Sequence, residues 1–157
     1  MKRYILPLFF ACVGLAGCGS VTAGIDFKAP AGWTTFSLMG RFQMWLKPSP
    51  DKKQEQMVFL VRGQTANTMD FKQIPQAGSS IRDQKLSDIK ICGNQRAQYI
   101  SAVGTNSRGG GDEALEMVSA PVGSESYLAM YIRPQSQRAD PAAEAAIRSL
   151  CVAKTSS

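Results

Sequence analysis

The sequence predicts an α+β fold in which an antiparallel β-sheet is flanked by helices, with an all-β sandwich carrying one C-terminal helix as the alternative. Met57-Val58-Phe59-Leu60-Val61 is apolar on both faces, the pattern of a strand covered on each side. Tyr127 to Ile132 repeats it, with Tyr127, Ala129 and Tyr131 on one face and Leu128, Met130 and Ile132 on the other. The chain then closes on a helix signal at Asp140-Pro141.

The remaining elements follow in order. Ala29-Pro30-Ala31-Gly32 punctuates the start of the folded part, and Trp33 to Leu38 reads as a first strand. Arg41 to Lys47 has period two: Phe42, Met44 and Leu46 point one way, Arg41, Gln43, Trp45 and Lys47 the other. Pro48 to Lys53 is a polar turn region. Thr65 to Ile74 allows a short helix through Ala66, Met69 and Ile74, and Gln76 to Asp83 reads as a loop. Leu86–Cys92 and Arg96–Val103 form a strand pair about Gly93-Asn94. Gly104 to Asp112 is a Gly-rich loop, followed by strands at Ala114–Val118 and Tyr127–Ile132. In the final helix Asp140 caps the N-terminus and Pro141 takes the first position, where its missing N–H costs nothing. Ala143, Ala146, Ile147, Leu150 and Cys151 share its apolar face.

Composition narrows the chemistry. The chain has 157 residues, 44% hydrophobic and 19% charged, the balance of one globular domain. It contains no His, so a His-dependent triad, a Cys–His dyad and an imidazole metal site are all excluded.

The amino terminus carries an address. Met1-Lys2-Arg3 precedes an apolar run from Tyr4 to Gly14, too short to span a bilayer as a permanent helix and interrupted by Pro7. Leu15-Ala16-Gly17-Cys18 resembles the lipobox of bacterial lipoproteins. The resemblance implies cleavage before Cys18, lipidation of its thiol and anchoring through acyl chains, each buried CH₂ contributing about 0.8 kcal/mol. With Gly19 rather than Asp after the Cys, it further implies an outer membrane location facing the periplasm. The alternative is an ordinary secretory signal cut after Ala23, giving a soluble periplasmic or secreted chain.

Processing changes the counts. Lys2 and Arg3 leave with the signal, so the net charge falls from +6 to +4. Cys12 leaves too, and Cys18 takes lipid, so Cys92 and Cys151 remain. Two thiols in an exported chain are most simply a disulfide, here stapling the closing helix to a strand end. The alternative is two free buried thiols. The expected organisation is a signal peptide at 1–17, a tether at 18–28, one globular domain at 29–153 and a tail at 154–157.

The Pro30-x-Gly32-Trp33 opening, the Tyr127–Ile132 strand and the Ala143-Glu144-Ala145-Ala146-Ile147 helix resemble the PsbP-like fold over roughly residues 27–152. That resemblance implies an α/β/α sandwich and a non-enzymatic protein that docks on membrane complexes. The Cys92–Cys151 staple departs from it.

Candidate chemistry is sparse. Ser87-Asp88-Ile89-Lys90 matches Ser-x-x-Lys, but the alternation around it reads as strand and turns Ser87 and Lys90 to opposite faces. Gly109-Gly110-Gly111 lacks the Lys-Ser/Thr of a phosphate loop. Asp112, Glu113 and Glu116 lack calcium-loop spacing. Trp45 between Arg41 and Lys47 is a candidate binding surface for a partner protein or an acidic glycan. Its simpler reading is a Trp covered by a helix and framed by cationic stems. Basic residues are scattered, which argues against nucleic acid as a partner. The expectation is a non-enzymatic accessory or protein-binding lipoprotein without cofactor or metal, its partners a membrane and an envelope protein. A ligand- or glycan-binding lipoprotein is the alternative, and a hydrolase with a site lacking His comes third.

Overall fold

The computed structural model describes residues 24–38, 42–50, 55–63, 81–106, 111–122 and 125–152. Its elements are β1 (Ile25–Asp26), β2 (Thr34–Leu38), β3 (Phe42–Leu46), β4 (Met57–Gly63), β5 (Ile81–Ile91), β6 (Gln95–Asn106), β7 (Gly111–Val122), β8 (Glu125–Pro134), α1 (Pro141–Arg148) and β9 (Cys151–Val152). Strands β2 to β8 form one seven-stranded sheet in the order β2-β3-β4-β8-β7-β6-β5, and β1 pairs with β9 in a separate ribbon. Every pairing is antiparallel.

This is the all-β alternative, a sandwich with one C-terminal helix, and it corrects the helix-flanked α/β/α expectation. The two apolar faces exist as predicted. On one, Trp45, Val58, Leu60, Val118, Ala129, Tyr127 and Tyr131 pack with Ala143, Ile147 and Leu150 from the C-terminal segment and with Ile25 of β1. On the other, Ile100, Leu115, Met117, Leu128, Met130 and Ile132 cluster with Met57, Phe59 and Val61 at their margin. Only the first face carries a helix among the described residues. Alternation reports that a face is dry and says nothing about what covers it. Here a β-ribbon and the aromatic residues Phe27 and Trp33 share that task with α1. The helix expected within 65–74 lies outside the described residues.

Local differences have local causes. Strand β5 begins at Ile81, inside the expected loop. Its register shifts between Arg82 and Lys85, and Asp83 sits there at φ +56°. Such a bulge breaks period two, and Asp tolerates the left-handed conformation better than most residues. The same irregularity, with exposed Lys85, Asp88 and Lys90, guards a long edge strand against foreign pairing. Strands β6 and β7 run longer than expected, reaching Asn106 and resuming at Gly111. Gly104 lies in the apolar face of β6, where an added Cβ would come within 3.2 Å of Leu115 Cδ1.

The expected tether is also shorter. Ile25 is a core residue, its register partner is Val152, and the Phe27 ring packs 5.1 Å from Trp45. The helix starts as predicted: the Asp140 carboxylate accepts from Ala142 N at 2.8 Å, with Pro141 behind it. It stops at Arg148, so Leu150 and Cys151 lie beyond its end. Cys151 opens β9 and bonds to Cys92, with the two Cα atoms 5.5 Å apart, inside the usual disulfide range. The staple therefore ties the β1–β9 ribbon, rather than α1 itself, to the β5–β6 turn. Among the described residues, no helix is long and apolar enough to cross a membrane.

The bond spans 59 residues of sequence. Replacing both Cys92 and Cys151 by Ser should lower the unfolding free energy by about 4 kcal/mol in the chain-entropy model. Urea titration of oxidised wild type and the double variant measures it, and equal midpoints would refute it.

Candidate functional site

The residues singled out from the sequence do not assemble into one surface. Trp45 is 4% exposed and belongs to the core face beneath the C-terminal segment, so the Arg41–Trp45–Lys47 binding surface is corrected. The simpler reading of Trp45 as a covered residue fits better, although the aromatic that meets it is Phe27. Lys47 turns instead to the helix cap, its Nζ 2.7 Å from Asp140 Oδ2. Arg41 and Cys18 lie outside the described residues. Ser87 and Lys90 both fall on β5, three positions apart and so on opposite faces.

Two polar constellations stand out. The first is internal. Tyr131, fully buried on β8, donates its hydroxyl proton to Gln56 Oε1 and accepts from the backbone N–H of Asp140 at 2.9 Å. Gln56 is itself buried, and its Nε2 donates to Gln137 Oε1 at 2.9 Å. The Lys47 N–H donates to the Gln56 carbonyl at 3.0 Å. Together these bonds fix the start of α1 to β8 and to the turn before β4. Burial raises the Tyr131 phenol, the largest influence on it, so it stays a donor across the physiological range. The hydrogen bond from Lys47 holds the Asp140 carboxyl below the usual carboxylate range, with the Ala142 N–H adding to the effect.

The second constellation is on the surface. Arg82 of β5 makes a forked pair with Asp112 of β7, its Nη1 3.2 Å from Asp112 Oδ1, and Thr105 of β6 joins them at 3.2 Å from Arg82. The hydrogen bond from Arg82 draws the Asp112 carboxyl below its ordinary range. Beside this pair lies an open cleft of about 400 Å³ lined by Gly111, Asp112, Gln135 and Ser136, where Gln135 N–H donates to the Asp112 carbonyl at 2.8 Å. Its lining mixes polar and apolar surface, and the described lining residues include no aromatic ring. Near the helix, Tyr99 donates to Glu116 at 2.7 Å while the Arg148 guanidinium lies 4.9 Å from the centre of the Tyr99 ring. Burial first, then that bond to Glu116, raises the Tyr99 phenol.

No group of three His, Cys, Asp or Glu side chains among the described residues could hold a metal ion. Asp112, Glu113 and Glu116 are spread along β7 rather than gathered in a loop. The cleft offers a carboxylate, an amide and a hydroxyl, which suits a small polar ligand. Sequence reasoning passed over Gln56, Tyr131 and Arg82 as a set. The one available signal was Tyr131 on a strand dry on both faces, since a buried phenol needs a hydrogen-bond partner.

No family model and no curated protein matches this chain. Among solved structures, the chain is similar to a crystal structure from Bacteroides thetaiotaomicron VPI-5482 at 1.50 Å, with a TM-score of 0.52 and 15% identity. The match covers 88% of this chain and 48% of that one, so this chain spans about half its length. The likeness is one of fold alone.

Two outcomes follow from the internal network. Tyr131→Phe strands Gln56 Oε1 and the Asp140 N–H in a dry site and should cost about 1–3 kcal/mol in denaturant unfolding. Asp140→Asn keeps a capping oxygen but removes the charge. Because the folded Asp140 titrates below its unfolded value of about 4, its contribution is present above that pH and is lost as pH falls through the folded value. Melting curves from neutral to acid pH should therefore show a shallower acid-side decline in Asp140→Asn than in wild type. Superimposable slopes would contradict the assignment.

Proposed function

We propose that the protein is a lipid-anchored, non-enzymatic binding module of the bacterial envelope. The observation that carries this reading is the cysteine arrangement. Leu15-Ala16-Gly17-Cys18 resembles a lipobox, and the two cysteines left after such processing, Cys92 and Cys151, are bonded to each other. A disulfide fits an exported chain, because reducing compartments keep thiols apart. Within this reading, Gly19 after the lipidated Cys favours the outer membrane, facing the periplasm.

Two kinds of binding remain in play, each with its own observation. The cleft beside Asp112 favours a small polar ligand, including a glycan held through hydrogen bonds to the Asp112 carboxylate, the Gln135 amide and the Ser136 hydroxyl. A docking role with an envelope protein is favoured instead by Phe36, 44% exposed on the edge strand β2. The cleft is the stronger of the two because it brings together polar groups from β7 and the β8–α1 connection.

Mass spectrometry of the protein extracted from its own membranes should find an acylated N-terminal peptide beginning at Cys18, lost in Cys18→Ala. An unmodified terminus at Gly24 would replace the lipoprotein reading with a secretory one. For the cleft, titration of neutral oligosaccharides followed by amide NMR should shift Gly111, Asp112 and Gln135 together, and Asp112→Ala should weaken that response about tenfold, the loss of one charged hydrogen bond. Shifts confined to the β2 edge would favour the protein-docking role.

A further inference from the structure

The seven-stranded sheet has two edges, and only one of them is guarded. Strand β5 carries the bulge at Asp83 and the charges of Lys85, Asp88 and Lys90. Strand β2 carries neither. It pairs with β3 in unbroken register, and from Ala29 to Gly40 the sequence has no charged residue. Thr34, Thr35, Phe36 and Ser37 are all exposed. Among the described residues, no strand pairs with β2 on its outer side. An uncharged edge of β-branched and aromatic residues is a template for a further strand.

Register decides which backbone groups that edge offers. The Lys47 N–H donates to the Gln56 carbonyl, on the β4 side of β3. Successive residues of a strand direct their N–H and C=O groups to opposite sides, so Phe42, Met44 and Leu46 direct theirs to β2. Their partners there are Leu38, Phe36 and Thr34. Thr35 and Ser37 therefore turn their N–H and C=O groups outward. On the side-chain level, Phe36 lies opposite Met44, Met44 opposite Phe59 and Phe59 opposite Met130, so these four share the face of the second apolar cluster. Met130 is 7% exposed and Phe36 44%. The row is closed at the centre of the sheet and open at the β2 edge.

We propose that β2 is the interface of a symmetric dimer, in which it pairs antiparallel with β2 of a second copy about a twofold axis at Phe36. The proposal rests on the docking role assigned to Phe36 and names its partner. In this register Thr35 of each copy faces Ser37 of the other, and their outward groups exchange four backbone hydrogen bonds. The two Phe36 side chains meet as the closer, non-hydrogen-bonded pair, where cross-strand aromatic contacts stabilise a sheet. The apolar row then runs unbroken from one sheet into the next, and one contact closes both open ends. Strand β2 brings no charge to its own copy, so nothing along it repels. Pairing β2 with β5 of another copy would instead be head-to-tail and open-ended, and the bulge and charges of β5 oppose it. Five residues a side make a small interface, so the dimer dissociates at about 10–100 µM.

The test is sedimentation equilibrium of the mature chain exported behind an ordinary secretory signal, so that it carries no acyl group, with folding checked by absence of free thiols. Wild type should pass from monomer to dimer as concentration rises. Phe36→Lys sets like charges opposite each other and should weaken the dimer about tenfold or more. Ser37→Pro removes an outward N–H, a change that an edge strand tolerates, and should weaken it as much. Leu86→Lys, the same change at the exposed apolar residue of β5, should leave it unchanged. A mixture of Phe36→Lys with Phe36→Glu should associate more strongly than either alone, because only the twofold at Phe36 brings the two substitutions together. A mixture no better associated than its components would overturn that register. Equal weakening by Leu86→Lys, or species that grow beyond the dimer, would overturn the β2 interface. Wild type that stays monomeric up to about 1 mM would overturn self-pairing; docking of another protein at β2 is read separately, by the amide shifts of that strand.

Discussion

A single open sheet with apolar side chains on both faces cannot stand in water, and the dry seat of β8 at its centre is the constraint from which the rest of the fold follows. Strand β8 is paired on both sides, by β4 and β7, and Leu128, Ala129, Met130, Tyr131 and Ile132 are buried in succession. Tyr131 brings a hydroxyl into that dry layer, and the group must be matched. Gln56 and the Asp140 backbone match it from either side. In doing so they decide where the chain after β8 turns and where α1 begins. The helix is only 8 residues long, too short to be stable alone. It exists because Ala143, Ala146 and Ile147 are pressed on the sheet and Asp140 is held at its start.

The elements that were legible in the sequence are those whose own residues determine them. Period two over Arg41–Lys47 located β3, the doubly apolar run Met57–Val61 located β4, and Asp140-Pro141 located the helix start to the residue. What escaped depended on residues distant in the chain. The face of Trp45 looks polar because Arg41, Gln43 and Lys47 share it. Yet Phe27 and the C-terminal segment cover it, and Lys47 leans away to Asp140. The first turn of β5 looked like a loop because an edge strand needs no apolar face and its bulge at Asp83 erases the alternation. The second helical layer was inferred from dryness alone, a property that a sheet face acquires from any cover.

The candidate site was less legible than the fold, and for a related reason. Arg82, Thr105, Asp112 and Gln135 come from four separate stretches, and none carries a spacing that marks it. Antiparallel register alone brings them together, with Thr105 opposite Asp112 and Arg82 one strand farther out. Cysteine chemistry was the exception. The pairing of Cys92 with Cys151 was expected because the lipobox resemblance implies other fates for Cys12 and Cys18, an expectation that draws nothing from packing.

The position of β8 has a consequence for how such a chain comes to be folded. Strands β2, β3 and β4 form one antiparallel run, and β5, β6 and β7 form another; β8 alone joins them. It is the last long strand in the chain. A polypeptide emerging amino end first thus holds two separate meanders with unpaired inner edges, β4 and β7, until the segment ending at Pro134 is free. Contacts of such long range form slowly. The complete seven-stranded sheet can therefore assemble only once nearly the whole chain is available, however early the two halves take shape.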